Sequence, residues 1–167
     1  DPSVSIDERL ERLFEAGCDD AVPGVGRSDS IALAFGRTAV SAREAVLSAI
    51  TDVMGAMPDA ELLGASPDLV GLTDAAEIMG FSRQNMRKLL VSSAGSAPAS
   101  VHEGAPSLWH LADLLSWLDG KGYEVDRDLA GIAAVTMQVN LAVQATRSDA
   151  ELQREITRAA GWAGLIV

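Results

Sequence analysis

The run from Leu72 to Leu90 restricts the fold more than any other segment, because its small, flexible and bulky residues stand at fixed spacings. Ala76 lies four residues before Gly80, and Met86 lies six residues after that glycine. A small residue lets two helices cross closely, a glycine adopts the positive φ of a tight turn, and a large apolar side chain fills the space between the helices. The spacing therefore predicts a helix-turn-helix.

Polar residues stand at both predicted helix starts. Thr73 is placed to cap a short first helix over Asp74–Met79, and Glu77 completes a weaker capping box around it. Ser82 is placed to cap the second helix. Polar and cationic side chains then occupy the outward face of this second helix, at Arg83, Gln84, Arg87 and Lys88, with Asn85 near its start.

These side chains have the chemistry to contact DNA. Arginine pairs bidentately with guanine, glutamine or asparagine with adenine, and lysine or serine with phosphate. No Asp or Glu occurs from Ile78 to His102, a window that contains three cationic residues of the second helix. An unrelated helical hairpin with a basic surface is the alternative interpretation, because a motif match needs structural context.

The overall charge opposes a simple DNA-binding interpretation. The formal net charge is -11, whereas proteins that bind DNA usually present a basic face. Residues 1–68 carry 5 basic and 13 acidic side chains, and residues 69–121 carry 4 and 5. Because most of the acidity precedes the helix-turn-helix, we expect poor non-specific binding and an affinity that depends on a matched site.

A hairpin and a third helix follow the motif. The pattern from Val101 to Trp109 predicts two short strands around a Gly-Ala-Pro turn, and His110 to Leu118 predicts a helix. Helix, turn, helix, hairpin and helix in this order resemble the winged-helix domain of the MerR-type regulators and the phage excisionases, over residues 69–119. The residues that carry the resemblance are Leu72, Thr73, Ala76, Gly80, Ser82, Arg83, Trp109, Asp113, Leu114, Trp117 and Leu118.

The resemblance implies a domain that binds double-stranded DNA, with the second helix in the major groove. It also implies that a wing around His102–Ser107 lies beside the DNA backbone or the minor groove. Glu103 on this wing would repel phosphate, and the extra domain precedes the winged helix instead of following it, so effector sensing is not implied. The expected DNA-binding residues are Thr73, Ser82, Arg83, Gln84, Asn85, Arg87, Lys88 and His102.

The first 67 residues alternate helix and strand patterns. The predicted elements are a helix over Asp7–Ala16, strands over Asp20–Gly26 and Ser30–Phe35 that form a hairpin around a turn at Arg27–Asp29, a helix over Ala42–Met57 capped by Ser41, and a strand over Ala60–Ala65. Val4–Ile6 is interpreted as the remnant of a strand before them. This order predicts a small ferredoxin-like βαββαβ domain.

The segment from Asp126 to Thr146 is apolar nearly all round, which is typical of a helix buried on several sides. We expect this helix to form a homodimer surface, because one 167-residue chain has little else to cover it. A shorter helix is predicted over Ser148–Ala160.

Other functions find little support in the residue content. The single cysteine, Cys18, excludes a disulfide within the chain and fits a reducing cytoplasm. Cys18, His102 and His110 lack metal-ligand spacing, no phosphate-binding loop or Ser/His/Asp grouping is visible, and no apolar run reaches the length of a membrane span. We therefore expect no metal, no cofactor, no enzymatic activity and no membrane partner.

The sequence thus predicts an α+β protein in three parts: a ferredoxin-like α/β domain over residues 1–67, a winged helix-turn-helix over residues 68–121, and C-terminal dimerisation helices over residues 122–167. The expected function is sequence-specific transcriptional regulation by a cytoplasmic homodimer of bacterial type. The alternative is a non-enzymatic protein-interaction adaptor, antitoxin-like or anti-restriction, whose acidic N-terminal domain docks a basic protein partner or mimics DNA.

Overall fold

The computed structural model describes residues 6–24 and 30–162, which form a mixed α+β structure of seven helices and two small antiparallel sheets. The elements are, in chain order, α1 (Ile6–Glu15), β1 (Ala21–Gly24), β2 (Ala32–Phe35), α2 (Ala42–Ala56), β3 (Leu69–Val70), α3 (Leu72–Ile78), α4 (Arg83–Ser92), β4 (Trp109–His110), α5 (Leu111–Gly120), α6 (Arg127–Ala145) and α7 (Ala150–Ala159).

The N-terminal hairpin and the two helices around it follow the predicted pattern. β1 and β2 pair antiparallel, with Ala21 opposite Phe35, and the turn predicted at Arg27–Asp29 lies outside the described residues. Ser41 caps α2, because its hydroxyl oxygen accepts a hydrogen bond from the Glu44 backbone N–H at 3.1 Å.

The predicted strand over Ala60–Ala65 is not formed. Instead of pairing with a strand, the backbone N–H and C=O of Ala65 bond to the side-chain amide of Asn140 on α6, at 2.7 and 2.8 Å. The interpretation of Val4–Ile6 as a strand is also wrong at Ile6, which begins α1, while residues 4 and 5 lie outside the described residues. Among the described residues the N-terminal sheet therefore has two strands, and the four-stranded ferredoxin-like layer is not formed there.

The first helix of the central pair begins two residues earlier than predicted, at Leu72. Thr73 therefore lies inside α3 and is not its cap. Asp74 supplies the cap instead, because its carboxylate accepts a hydrogen bond from the backbone N–H of Gly71 at 3.0 Å. This bond satisfies a donor that the helix start would otherwise leave without a partner.

The turn between α3 and α4 confirms the role predicted for Gly80, whose φ is +66°. The N–H of Gly80 bonds to the carbonyl of Glu77, and the N–H of Phe81 bonds to the carbonyl of Ala76, which is the Schellman ending of a helix. Ser82 then caps α4 by accepting a hydrogen bond from the N–H of Asn85 at 3.1 Å.

One apolar core joins α3, α4, α5 and α6. Its fully buried side chains include Met86, which packs in the same cluster as Ala75 and Ala76 as the spacing predicts. The strands β3 and β4 close one edge of this core by pairing Val70 with Trp109. Four leucines of α5 complete the cluster: Leu111, Leu114, Leu115 and Leu118.

Helix α6 packs against both α2 and α5, so part of the surface expected to be free for a partner copy is covered within the chain. Gly131 marks the close approach to α2, because a Cβ placed on it would lie 3.1 Å from the Cβ of Ala42. No residue of α7 is buried. Within residues 6–24 and 30–162 no single helix is long and apolar enough to cross a membrane; α6 and α7 meet that criterion only as a pair bent by 111°.

Candidate functional site

The first six residues of α4 present five polar side chains to solvent: Arg83, Gln84, Asn85, Arg87 and Lys88. Elsewhere in the chain, Arg37, Arg127 and Arg147 are held in ion pairs with carboxylates. Among the described residues, by contrast, no acceptor bonds to any of the five α4 side chains. The cations of α4 are therefore available to an anionic partner.

The five side chains divide around the helix axis. Successive residues are rotated by about 100°, so Gln84 and Lys88 lie nearly opposite the buried Met86. Arg83 and Arg87, one turn apart, lie on the edge of α4 between that outward face and Leu90.

This edge borders a groove of about 860 Å³. Three segments form its walls: the start of α3, one side of α4, and the hairpin that ends at β4. The lining residues are Gly71, Leu72, Thr73, Asp74, Arg83, Arg87, Leu90, Val91 and the run 104–109. The groove is thus apolar over much of its surface and carries two cations and one carboxylate.

The hairpin predicted over residues 101–109 is formed only in part, because neither of its two strands is present as predicted and Trp109 instead begins β4, which pairs with β3. Its two sides pair through an isolated bridge between His102 and Leu108, and the hydroxyl of Ser107 donates to the carbonyl of Gly104 at the tip. The imidazole of His102 lies over the same glycine, since a Cβ on Gly104 would collide with the ring. Within this hairpin no side chain is an arginine or a lysine.

A buried carboxylate anchors the base of the hairpin. Asp68 is only 6% exposed, and its Oδ1 lies 2.6 Å from Nδ1 of His110. Its Oδ2 accepts a hydrogen bond from the amide of Asn140 at 2.7 Å, and its backbone carbonyl accepts one from Leu111. These contacts connect β4, α5 and α6 to the strand that leads into α3, and so position the hairpin relative to α4.

The predicted site residues occupy four different places. Thr73, Arg83 and Arg87 line the groove, and Gln84, Asn85 and Lys88 lie on the adjoining exposed surface of α4. Ser82 is exposed but engaged as the cap. His102 is exposed on the hairpin and does not line the groove.

The apolar wall and the carboxylate of the groove were not predicted from the sequence. Leu90 and Val91 follow the predicted cationic face directly, and the exposed Val91 stands one turn after Arg87, which was a usable signal. Asp74 was placed in the first helix but not in the site. The anchoring role of Asp68 carried no local signal, because His110 and Asn140 are 42 and 72 residues away in the sequence.

A second polar cluster lies around Arg37, after the N-terminal hairpin. Its guanidinium bonds to Asp20 and to Asp52, at 2.9 and 2.6 Å. The hydrogen bonds from Arg37 hold the pKa of Asp20 below its ordinary value of 3.8, and burial, followed by the negative charge of Asp52, raises the pKa of the Cys18 thiol. This cluster joins the turn after α1 to α2, and we assign it a structural role.

In the part of the chain that the structure describes, no group of three or more His, Cys, Asp and Glu side chains is arranged to hold a metal ion. Comparison with known proteins finds no family model, no curated protein and no solved structure that matches this chain.

Proposed function

We propose that the chain is a sequence-specific, double-stranded DNA-binding transcriptional regulator that inserts α4 into the major groove. The observation that carries this proposal is the surface of α4, where Arg83, Arg87 and Lys88 are exposed and without a protein partner among the described residues. They lie in a window of 25 residues, 78–102, that contains no carboxylate. Exposed cations beside amide side chains are the groups that read base edges and neutralise phosphates.

The elements around α4 fit the proposed winged helix-turn-helix. The Schellman turn at Gly80 and the buried Met86 hold α3 and α4 as one unit, and the hairpin over residues 101–109, which lines a groove with α4, would serve as the wing. An α-helix with its side chains is about 10–12 Å across and matches a major groove about 12 Å wide.

The net charge of -11 opposes non-specific attraction of the protein to DNA. Non-specific attraction to DNA depends on the number of phosphates that cations neutralise, and α4 offers three. Affinity would therefore come from matched base contacts, doubled by a two-fold dimer on a palindromic site. We place this homodimer contact on α6.

The test is selection of binding sites from a random duplex library, followed by fluorescence anisotropy with the selected duplex. We expect the Lys88→Ala variant to bind the selected duplex about tenfold more weakly than the unmodified chain, equivalent to about 1.4 kcal/mol. Arg154→Ala is the matched control, because it removes one exposed cation from α7, and it should leave the affinity unchanged.

Two outcomes would contradict the proposal. If no duplex is enriched and none binds even at low salt, the protein does not act through DNA, and the adaptor function of the acidic N-terminal part becomes the better explanation. If Lys88→Ala and Arg154→Ala weaken binding equally, the contact is a general charge effect and α4 is not the reading helix.

A further inference from the structure

We propose that the groove between α4 and the hairpin seats one sugar-phosphate strand of the duplex, an assignment that rests on the proposed function. In this arrangement Arg83 and Arg87 bind phosphates, whereas Gln84 and Lys88 face the bases. The two cations of the groove then set how strongly the protein holds any duplex, and the outward residues set which sequence it prefers.

The side chains of α4 differ in their position around the helix axis. A helix that fills the major groove points its outermost residues at the base edges, and its flanks face the two backbones that border the groove. Gln84 and Lys88 lie opposite Met86 and take the outermost position, while Arg83 and Arg87 lie on the flank toward the hairpin. A flank residue therefore meets phosphate before it can reach a base.

The lining of the groove suits a sugar-phosphate strand better than a base. Leu90 and Val91 on α4 line the groove together with Ala105 and Pro106 on the hairpin, and such apolar surfaces can pack against deoxyribose. The charge needed by the phosphates comes from the two arginines, because the hairpin over residues 101–109 has no arginine or lysine of its own. Cations one helical turn apart can each neutralise a phosphate of the same strand.

Asp74 allows a test in which the affinity for DNA should rise instead of fall. Its carboxylate lines the same groove and would lie near the bound phosphates. Replacing it by asparagine removes the negative charge but keeps an oxygen that can accept the N–H of Gly71, so α3 keeps its cap. Asp74→Asn should therefore bind every duplex more tightly, by about threefold at low salt.

The experiment compares four variants on two probes, the duplex selected from the random library and a scrambled duplex of equal length and composition. Arg83→Ala and Arg87→Ala should each lower affinity for both probes by a similar factor, about tenfold, and reduce the slope of log affinity against log salt by about 1. Gln84→Ala should weaken binding of the selected probe alone, with an unchanged salt slope. Asp74→Asn should strengthen binding of both probes.

A scan with neutral methylphosphonate linkages locates the contacts. We expect the unmodified protein to lose affinity at two or more linkages on one strand, and Arg87→Ala to become insensitive at one of them.

If Arg87→Ala changes the base preference at one position and keeps the full salt slope, Arg87 reads a base and the assignment is wrong. If Asp74→Asn weakens binding, the carboxylate accepts from the DNA and the assignment also fails. If the unmodified protein binds neither probe, the proposed function itself is overturned.

Discussion

Single residues determine where α3 ends and α4 begins. Gly80 adopts a φ of +66°, and a Cβ placed on it would have nothing within 4 Å, so the requirement for glycine is purely conformational. Left-handed backbone costs an ordinary L-residue about 1–2 kcal/mol. The sequence predicted this position correctly because the turn is determined within a few residues. It misplaced the start of α3 because the N-cap is Gly71, which has no side chain to accept a hydrogen bond, and the contact at this end comes from Asp74 three residues later.

The Gly80→Ala variant should lower the free energy of unfolding by about 1 kcal/mol, since alanine must adopt the left-handed conformation without gaining a contact. Urea unfolding followed by circular dichroism measures this change. Gly55→Ala is the control, because Gly55 lies inside α2 with open space around it, and there alanine should stabilise the chain by up to about 1 kcal/mol. Equal effects of the two substitutions would show that the conformation of Gly80 is not costly to alanine.

The Asp20–Arg37 pair predicts a pH dependence of stability. Because the hydrogen bonds from Arg37 lower the pKa of Asp20 in the folded chain below 3.8, the stabilisation is fully present above that value and is lost as the pH falls through the lower, folded-state pKa. Asp20→Asn should therefore be less stable than the unmodified chain at pH 7, and the difference should shrink below pH 4.

Urea midpoints of the two proteins at pH 7, 5, 3 and 2 test this expectation. Asp59→Asn provides the control, since Asp59 is exposed and no side-chain bond to it is found among the described residues. A stability difference for Asp20→Asn that stays constant down to pH 2 would contradict the pKa shift.

At the scale of elements, long-range polar contacts determine features of the fold that local sequence patterns do not predict. The apolar residues of the segment Ala60–Ala65 are compatible with a strand, but they cannot say whether a partner strand exists. The partner is the side chain of Asn140, 75 residues away from Ala65. The same asparagine bonds to Asp68, which holds His110 at the base of the hairpin. The shape of the groove therefore depends on contacts between residues that lie too far apart in the sequence to be predicted from a local segment.

Asn140→Ala should lower the free energy of unfolding by about 2–3 kcal/mol, because it leaves the backbone of Ala65 and a buried carboxylate oxygen of Asp68 without partners. Ser116→Ala on the exposed side of α5 is the control and should change stability by less than about 0.5 kcal/mol. Chemical denaturation measures both. If Asn140→Ala proves as mild as the control, water replaces the lost bonds and the contact does not hold residues 65–68 on α6.

At the scale of the whole molecule, the sequence indicated the central helix pair and its cations far better than the arrangement around them. The α3–α4 unit is built from contacts between near neighbours, such as Ser82 with Asn85 and Gly80 with Glu77. The packing of α6 against α2 and α5 joins distant parts of the chain, and composition alone suggested an uncovered helix. What stays exposed on α6 is narrower than the expected apolar face: after Arg127 and Asp128 at the start of the helix, it consists of Ala134, Gln138, Leu141, Ala142, Gln144 and Ala145.

A homodimer through this narrower surface is a testable expectation. Leu141 is its largest apolar side chain and is 41% exposed, so Leu141→Arg would place a charge where two copies meet. We expect the unmodified chain to sediment as a dimer and Leu141→Arg as a monomer. On a duplex with two half-sites one helical turn apart, the variant should bind about a hundredfold more weakly, while binding to a single half-site is unchanged.

Thr51→Arg adds the same charge to an exposed position of α2 and should remain dimeric. A Leu141→Arg protein that still sediments as a dimer would place the interface elsewhere, and the exposed apolar residues of α7, Leu152 and Ile156, would be the next positions to substitute.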